Sequence, residues 1–286
     1  MVKVRVPATS ANLGPGFDTI GLAVNIYNTF EFYEADDDRD FEEDNLIYIG
    51  AKKIYDLLER DPSRIRFKVE SDVPRARGLG SSSTCIVGGM VGANEMLGSP
   101  LTKQDILNLA TEMEGHPDNV APALLGGCVF SVMEEGKVLA NKLEGLNDLR
   151  LVGAIPDFPL KTSLARNALP ENLAYKDVVY NLSHLAFLIE GLRDSDIEKI
   201  LIGCKDRLHE PYRRDLIRGY YTMKSIEESY KGRVFISGAG PTLLFLTDKS
   251  VEIDQIVNKW KEISKDLNDD WEIISLEIDH QGTVIL

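Results

Sequence analysis

The spacing of hydrophobic and polar residues along the chain predicts a mixture of strands and helices. Short apolar runs and polar–apolar alternation predict strands at 2–6, 22–33, 64–71, 126–133, 150–156, 233–237, 242–247 and 271–278. Longer-period spacing predicts helices at 45–59, after the 74–84 loop to about Leu97, and at 103–114, 175–190, 195–204, 215–230 and 251–266. These elements do not alternate as regular βαβ units, which favours an α+β fold over a doubly wound sheet.

The predicted elements divide into two halves. The strand near residue 150 is interpreted as the start of the second half, which gives domains at 1–150 and 151–286. Within the first half, Thr102 is predicted to cap a helix, because Asp105 follows three residues later as in a capping box.

Net charge argues against one class of partner, and the length of the apolar stretches argues against another. The 286 residues include 32 Lys or Arg and 46 Asp or Glu, a net charge of −14, which argues against binding nucleic acid through its phosphates. The longest apolar stretch, Cys85–Ala93, is too short to cross a bilayer, and the N-terminus has no secretory apolar segment, so we expect a cytoplasmic protein. Half of the charge, −7, lies at 34–44, which we interpret as a solvated loop.

The strongest chemical signal is the segment PRARGLGSSST at 74–84. Gly78 and Gly80 allow a tight turn close to a ligand, and a helix beginning after them would bind phosphate through free backbone N–H groups. The serine hydroxyls suit phosphate or Mg²⁺. No Lys follows Gly80, which excludes a Walker A motif, and Ser83 replaces the third glycine of a Rossmann fingerprint. An ordinary helix cap remains an alternative.

Polar residues are concentrated in further segments. Segment 7–18 holds more polar side chains than a turn needs, which indicates a small polar substrate site or, alternatively, a structural loop. In segment 114–123, Glu114 is a candidate Mg²⁺ ligand, and the polar side chains that follow it are candidate substrate contacts. Segments 161–166 and 209–214 bring in arginines, which bind carboxylates bidentately, although a lone arginine is usually only solvated.

Taken in order, these segments resemble motifs of the GHMP kinases. PATSANLGPGFD at 7–18 is similar to the first family motif, PRARGLGSSS at 74–83 to its phosphate loop, and SGAGPT at 237–242 to the third, although that glycine turn alone is typical of a hairpin. Three more segments resemble the branch that phosphorylates homoserine: EGHPDNVAPALLGG at 114–127, Thr162 to Arg166, and EPYR at 210–213. The resemblance covers nearly the whole chain.

The resemblance implies a fold and an activity. It implies an N-terminal domain like ribosomal protein S5 domain 2, a ferredoxin-like C-terminal domain and an active site between them. It also implies transfer of the γ-phosphate of ATP to the side-chain hydroxyl of L-homoserine, a step toward threonine, and it suggests a homodimer.

The resemblance further implies the site residues. ATP would be bound by Pro74, Arg75, Ala76, Arg77, Gly78, Leu79, Gly80, Ser81, Ser82, Ser83 and Thr84, and Mg²⁺ by Ser82 and Glu114. Homoserine would be bound by Asn12, Asp18, His116, Thr162, Arg166 and Arg213. A zwitterion needs both signs of charge, and Asp18 would receive its ammonium while the two arginines receive its carboxylate.

The candidate catalytic residues are Asn119 and Asp118. Mevalonate- and galactokinase-type enzymes of the family have a catalytic Asp where Asn119 stands. Asn cannot act as a general base near neutral pH, so we expect catalysis by positioning and charge neutralisation, which a loose phosphoryl-transfer transition state allows. Asp118 is the alternative base.

Two other functions remain open from the sequence. A mevalonate- or shikimate-type kinase would keep the phosphate loop but would not need Asp18 for an ammonium group. A non-catalytic ligand sensor on the same fold would not need the loop serines or Glu114, all of which are present.

Overall fold

The computed structural model describes residues 1–35 and 44–286. Residues 36–43, within the acidic segment predicted to be a solvated loop, lie outside this part. In it, the strands β1 to β10 are Val2–Ala11, Ile20–Glu34, Ile65–Ser71, Cys128–Glu134, Lys137–Leu143, Leu149–Pro156, Arg233–Ile236, Leu243–Asp248, Trp271–Leu276 and Val284–Ile285. The helices α1 to α10 are Leu46–Leu57, Ser81–Met96, Lys103–Glu114, Pro117–Leu125, Thr162–Asn167, Tyr175–Asp194, Ile197–Gly203, Glu210–Arg213, Tyr220–Lys224 and Ile253–Ser264.

The first sheet is antiparallel and, over the described residues, has six strands. Its order is β10-β1-β2-β4-β5, and β3 pairs with the far end of the long strand β2. Helices α1 to α4 share a core with this sheet around Phe30, Phe32, Ile54 and Met90. Thr102 caps α3 through the capping box with Asp105, as predicted from the sequence.

The second sheet, as far as the structure describes it, has the strand order β7-β8-β6-β9, and all of its pairs are antiparallel. This is the ferredoxin-like arrangement that the family resemblance implies, and the expected α+β fold is confirmed. Helix α10 packs on it through Trp260, which is fully buried and donates its indole N–H to the Met223 carbonyl at 2.7 Å.

The two sheets are joined by a shared core. One apolar cluster contains Leu22 of β2, Leu151 of β6 and Phe235 of β7. The second sheet begins at Leu149, close to the predicted division, but β10 returns to pair with β1 of the first sheet. The division at residue 150 itself stays a prediction. Among the described residues, no helix is both long and apolar enough to cross a membrane.

Three sequence predictions were wrong in detail. The predicted helix at 215–230 is broken into 3₁₀ turns and the short helix α9, because Gly219 adopts a left-handed backbone with φ +77°. The segment after Glu114 was expected to be a loop, yet it forms α4, since Pro117 occupies the first helical turn, where its missing N–H costs nothing. Strand β1 extends beyond residue 6 to Ala11, through an irregularity at Pro7 and Ala8.

Candidate active site

A cavity of about 160 Å³ brings together residues from both halves of the chain. Its walls include nearly all of the predicted site residues: Asn12, Asp18, Ala76, Arg77, Gly78, Leu79, Gly80, Ser81, Ser82, Glu114, His116, Asp118, Asn119, Thr162, Arg166 and Arg213. Gly238 and Ala239 of the glycine turn complete it. The cavity thus combines the phosphate loop with the two arginines.

The phosphate loop ends where α2 begins, at Ser81. Gly80 precedes the helix in a left-handed conformation with φ +66°, and a Cβ there would lie 1.9 Å from the Thr9 hydroxyl oxygen. Only glycine fits this position, which lets the start of α2 face the cavity with its first backbone N–H groups free of helical partners. The first turn contains no acidic residue that would oppose an anion.

Other residues of the predicted ATP loop do different work. Ser83 and Thr84 are buried inside α2, and Thr84 accepts a hydrogen bond from the Asn28 amide at 2.8 Å. Pro74 lines neither this cavity nor the adjoining one. Arg75 lines the adjoining cavity of about 340 Å³, which shares Ser81 and Ser82 with the first.

Arg77 ties the loop to the second half of the molecule. Its guanidinium donates to the Pro156 carbonyl at 2.8 Å and to the Asp157 carbonyl, both at the end of β6. The Arg77 guanidinium therefore serves, at least in part, to hold the loop in place.

The glycine turn at 237–242 supports the loop from the other side. The Ser237 hydroxyl donates to the Gly78 carbonyl at 2.6 Å, and the Thr242 N–H donates to the Arg77 carbonyl at 3.2 Å. The Gly238 N–H donates to the Ala11 carbonyl at 2.8 Å. This turn is therefore more than an ordinary hairpin, because it links β1, the phosphate loop and the second sheet.

Ser82 and Glu114 offer oxygen ligands for a metal ion. The Ser82 hydroxyl donates to a Glu114 carboxylate oxygen at 2.9 Å, and both residues line the cavity. Hydroxyl and carboxylate oxygens are a donor set that suits Mg²⁺. The residues present therefore fit the predicted metal.

Asp18 and Arg166, which also line the cavity, form a bidentate ion pair, with both N–O distances at 3.0 Å. Asn12 fixes the backbone at Asp18, since its side-chain oxygen accepts the Asp18 backbone N–H at 2.9 Å and its side-chain NH₂ donates to the Gly238 carbonyl. Asn12 and Asp18 both have positive φ, 63° and 52°, a strained conformation that the surrounding contacts maintain. Asn12 therefore serves at least in part to position Asp18.

Arg213 is almost completely buried beside this pair. Its guanidinium donates to the carbonyls of Ala165 and Gly238, each at 3.2 Å. Burial lowers the pKa of Arg213 to about 10, so the group still carries its charge at neutral pH. Among the residues that the structure describes, no carboxylate is paired with Arg213, and a buried cation of this kind is suited to an anionic ligand.

Phe17 contributes to the site, and the sequence reasoning missed it. Its ring lies beneath both guanidinium groups, 4.7 Å from that of Arg213 and 5.5 Å from that of Arg166, and it stacks on His209 at 5.3 Å. An aromatic ring attracts such cations through its quadrupole. The signal in the sequence that could have indicated Phe17 was its position directly before Asp18 in the first motif.

The cavity wall also includes His116, Asp118 and Asn119. The His116 Nδ1 is hydrogen-bonded to the buried Asp118 carboxylate, and this bond raises the pKa of His116. Asn119 accepts a hydrogen bond from the Thr9 hydroxyl at 2.8 Å through its side-chain oxygen, which leaves its amide N–H groups for the cavity. Asp18, His116 and Asp118 offer ligand atoms within 4.8 Å of one another, but Arg166 and His116 already compensate the two carboxylates.

The chain matches known proteins along its whole length. Models of the GHMP kinases N-terminal and C-terminal domains match residues 45–127 and 188–266. A homoserine kinase of Clostridium botulinum (strain Okra / Type B1) is 44% identical, with 100% of this chain and 98% of that protein covered. The chain belongs to the homoserine kinase family of GHMP kinases.

Other members of the family agree with this assignment. A homoserine kinase of Clostridium beijerinckii is 42% identical over 100% of this chain and 99% of that protein. The crystal structure of a homoserine kinase from Cytophaga hutchinsonii superposes with a TM-score of 0.90 at 27% identity, covering 100% and 97% of the two chains. Family membership makes this protein a kinase that uses ATP and acts on a hydroxyl group of a small molecule.

Proposed function

We propose that the protein transfers the γ-phosphoryl group of ATP to the side-chain hydroxyl of L-homoserine, giving O-phospho-L-homoserine and ADP in threonine biosynthesis. The observation that carries this proposal is the composition of one cavity. Its walls combine the phosphate loop with the Asp18, Arg166 and Arg213 cluster and with His116 and Asn119.

The cluster of Asp18, Arg166 and Arg213 suits an amino acid. The ammonium group of homoserine would contact Asp18, and its carboxylate would contact Arg166 and Arg213, with Thr162 beside them. Because Asp18 and Arg166 already form an ion pair, a zwitterion can align with them charge against charge. A substrate without an ammonium group, such as mevalonate, would lack the partner for Asp18.

The nucleotide would lie against the phosphate loop. Its phosphates would face the loop from Gly78 to Ser82 and the free N–H groups of α2. The adjoining cavity shares Ser81 and Ser82 with this one, and its volume of about 340 Å³ would accommodate the nucleoside.

Mg²⁺ would be held by Ser82 and Glu114. When bound, it would neutralise charge on the phosphate oxygens. The further inferences about cytoplasmic location and a homodimer stay predictions here.

In the transfer step, the substrate hydroxyl oxygen forms a bond to the γ-phosphorus, the bond from that phosphorus to the ADP oxygen breaks, and the hydroxyl proton passes to an oxygen of the transferred phosphoryl group and from there to solvent. The Asn119 amide would orient the hydroxyl or the phosphoryl group as a donor, since its oxygen is already used by Thr9. The α2 N-terminus would stabilise negative charge on the transferred group. No general base is required in this scheme.

Asp118→Asn tests that last point. A general base contributes roughly 10²- to 10⁴-fold to rate, whereas Asp118 here only supports His116, so we expect kcat to fall by less than about 100-fold. Steady-state kinetics with homoserine and ATP varied separately measure this. A larger loss of kcat with both affinities intact would instead make Asp118 the base.

The function itself is tested by ATP-dependent phosphorylation of L-homoserine, compared with mevalonate and shikimate, in an ADP-release assay. Arg213→Ala should raise KM for homoserine about 10- to 100-fold, the value of hydrogen bonds to a charged group, with little change in KM for ATP. The neighbouring Arg214→Ala, whose guanidinium lies over Tyr221 instead, is the matched control. Equal activity on mevalonate, or an Arg213→Ala variant that loses only ATP affinity, would contradict the proposal.

A further inference from the structure

Asn28, on β2, is a buried polar residue that lines neither of the two cavities. It is only 1% exposed. A buried amide destabilises a fold unless its donor and its acceptor are both paired, so its partners indicate what it does. Its hydrogen bonds lead to the two ends of the phosphate loop, near Val73 where the chain enters the loop and near Ser81 where the chain leaves it.

The side-chain oxygen of Asn28 holds the entry to the loop. It accepts the Ser71 hydroxyl at 2.8 Å and the Val73 backbone N–H at 3.2 Å. Ser71 is the last residue of β3 and lies opposite Asn28 in the strand register. Val73 comes directly before Pro74, where the loop begins. The side chain therefore keeps the chain attached to the first sheet beyond the end of the strand.

The side-chain NH₂ group of Asn28 holds the exit from the loop. It donates to the Thr84 hydroxyl at 2.8 Å, and that hydroxyl donates to the Ser81 carbonyl at 2.9 Å. A hydroxyl has one proton, so Thr84 must accept from Asn28 if it donates to Ser81. Ser81 is the first residue of α2 and lines both cavities. The first turn of α2 is thus fixed to the same side chain as the entry.

One amide holds both ends because it has an acceptor and a donor on different atoms. An aspartate at position 28 would lack the donor, and its buried charge would be costly. The supports described above, at Arg77 and Gly78, act on the middle of the loop and come from the second half of the chain. Asn28 adds a support from the first sheet.

We propose that Asn28 is a positioning residue for ATP, because its side chain fixes both ends of the phosphate loop and thereby the first turn of α2. The free N–H groups of that turn bind phosphate by pointing at it, and a small displacement would remove much of their effect. Asn28 does not contact the nucleotide but acts through Thr84 and Val73. The inference rests on the proposed placement of the ATP phosphates against this loop.

Thr84→Val tests the exit side, because it keeps the shape of the side chain and removes the hydroxyl. Calorimetric titration with Mg²⁺ and adenylyl imidodiphosphate, a non-hydrolysable ATP analogue, should show a dissociation constant about 5- to 50-fold higher, as expected when a buried donor loses its partner. KM for homoserine, measured at saturating ATP, should not change. Thr84→Ser keeps the hydroxyl and should restore the affinity.

The matched control is Thr111→Val, on α3. Thr111 is also buried, but its hydroxyl has no partner among the residues that the structure describes, so this variant should bind the analogue like the native chain. Native affinity in Thr84→Val, or an equal loss in Thr111→Val, would overturn the proposal.

A double-variant cycle tests whether Asn28 acts through Thr84. Asn28→Ala releases both ends and should weaken binding of the analogue at least as much as Thr84→Val. Adding Thr84→Val to Asn28→Ala should cause little further loss, since the bond between the two residues is already absent. Losses that multiply would show that the two residues act independently, which contradicts the proposal.

The titration contains no homoserine, so its outcome is separate from that of the activity assay. A native chain that binds the analogue but does not phosphorylate homoserine would contradict the proposed function alone. A native chain that does not bind the analogue would contradict both.

Discussion

At the scale of the residue, the charged side chains of the cavity are held in place by other groups of the protein. Asp18 is held by Arg166 and by the Asn12 amide, and Arg213 is held by two carbonyls. Motif residues such as Asp18 and Arg213 could be singled out in the sequence through their resemblance to family motifs, and their charges agree with the chemistry of a zwitterion. Their mutual contacts could not, since they join residues about 150 to 200 positions apart.

Phe17 offers a test of how these arginines are positioned. Phe17→Leu keeps an apolar side chain but removes the ring beneath both guanidinium groups. A cation–π contact is worth about 0.5–2 kcal/mol, so KM for homoserine should rise about 3- to 30-fold while kcat changes little. Phe17→Tyr keeps the ring and should restore KM. If the leucine variant binds homoserine as well as the native chain, the ring has no such role.

The His116–Asp118 contact predicts a pH dependence of stability. The pKa of His116 is raised by its bond to Asp118, so the folded state holds the proton more tightly than the unfolded state. The stabilisation is fully present below the unfolded pKa of about 6.5 and is lost as pH rises through the higher folded value. Urea unfolding at several pH values, compared with His116→Gln, measures it. A difference between the two proteins that grows with increasing pH would contradict this sign.

At the scale of the element, most helices and strands could be predicted, because their apolar spacing reports which face is buried. The errors came where backbone details decide the outcome. Helix α4 begins directly after a helix-ending glycine and carries two prolines, so its pattern is typical of a loop. The bracing of the phosphate loop by the 237–242 turn depends on backbone carbonyls, which leave no trace in residue type.

Gly80 tests the junction between loop and helix. Gly80→Ala should lower stability by about 1–2 kcal/mol for the left-handed backbone alone. It should also raise KM for ATP about tenfold or more, because its Cβ would collide with Thr9 and displace the loop. Gly98→Ala is the control, since Gly98 also has positive φ but its Cβ would meet nothing within 4 Å. An equal effect of both variants on KM would show that the close approach is unimportant.

At the scale of the whole molecule, the negative charge does not describe the site. The chain carries −14, yet its motif segments together carry +2, summed over 7–18, 74–84, 114–123, 161–166, 209–214 and 237–242, so acidity belongs to the remaining surface. Overall charge bears on the class of partner but does not describe the character of the cavity. The α+β class and the ferredoxin-like sheet could be predicted through family motifs, whereas the shared core between the sheets could not, because it joins residues from distant parts of the chain.

The pairing of β10 with β1 has a consequence for synthesis. A ribosome makes β1 first and β10 almost three hundred residues later, so one edge of the first sheet stays open while all the intervening residues emerge. An open edge can pair with the wrong strand. The second sheet has no such requirement, since its four strands lie at 149–276. The N-terminal half is therefore translated first but completed last. A nascent chain that stops before Val284 contains the complete phosphate loop, but its first sheet still lacks strand β10.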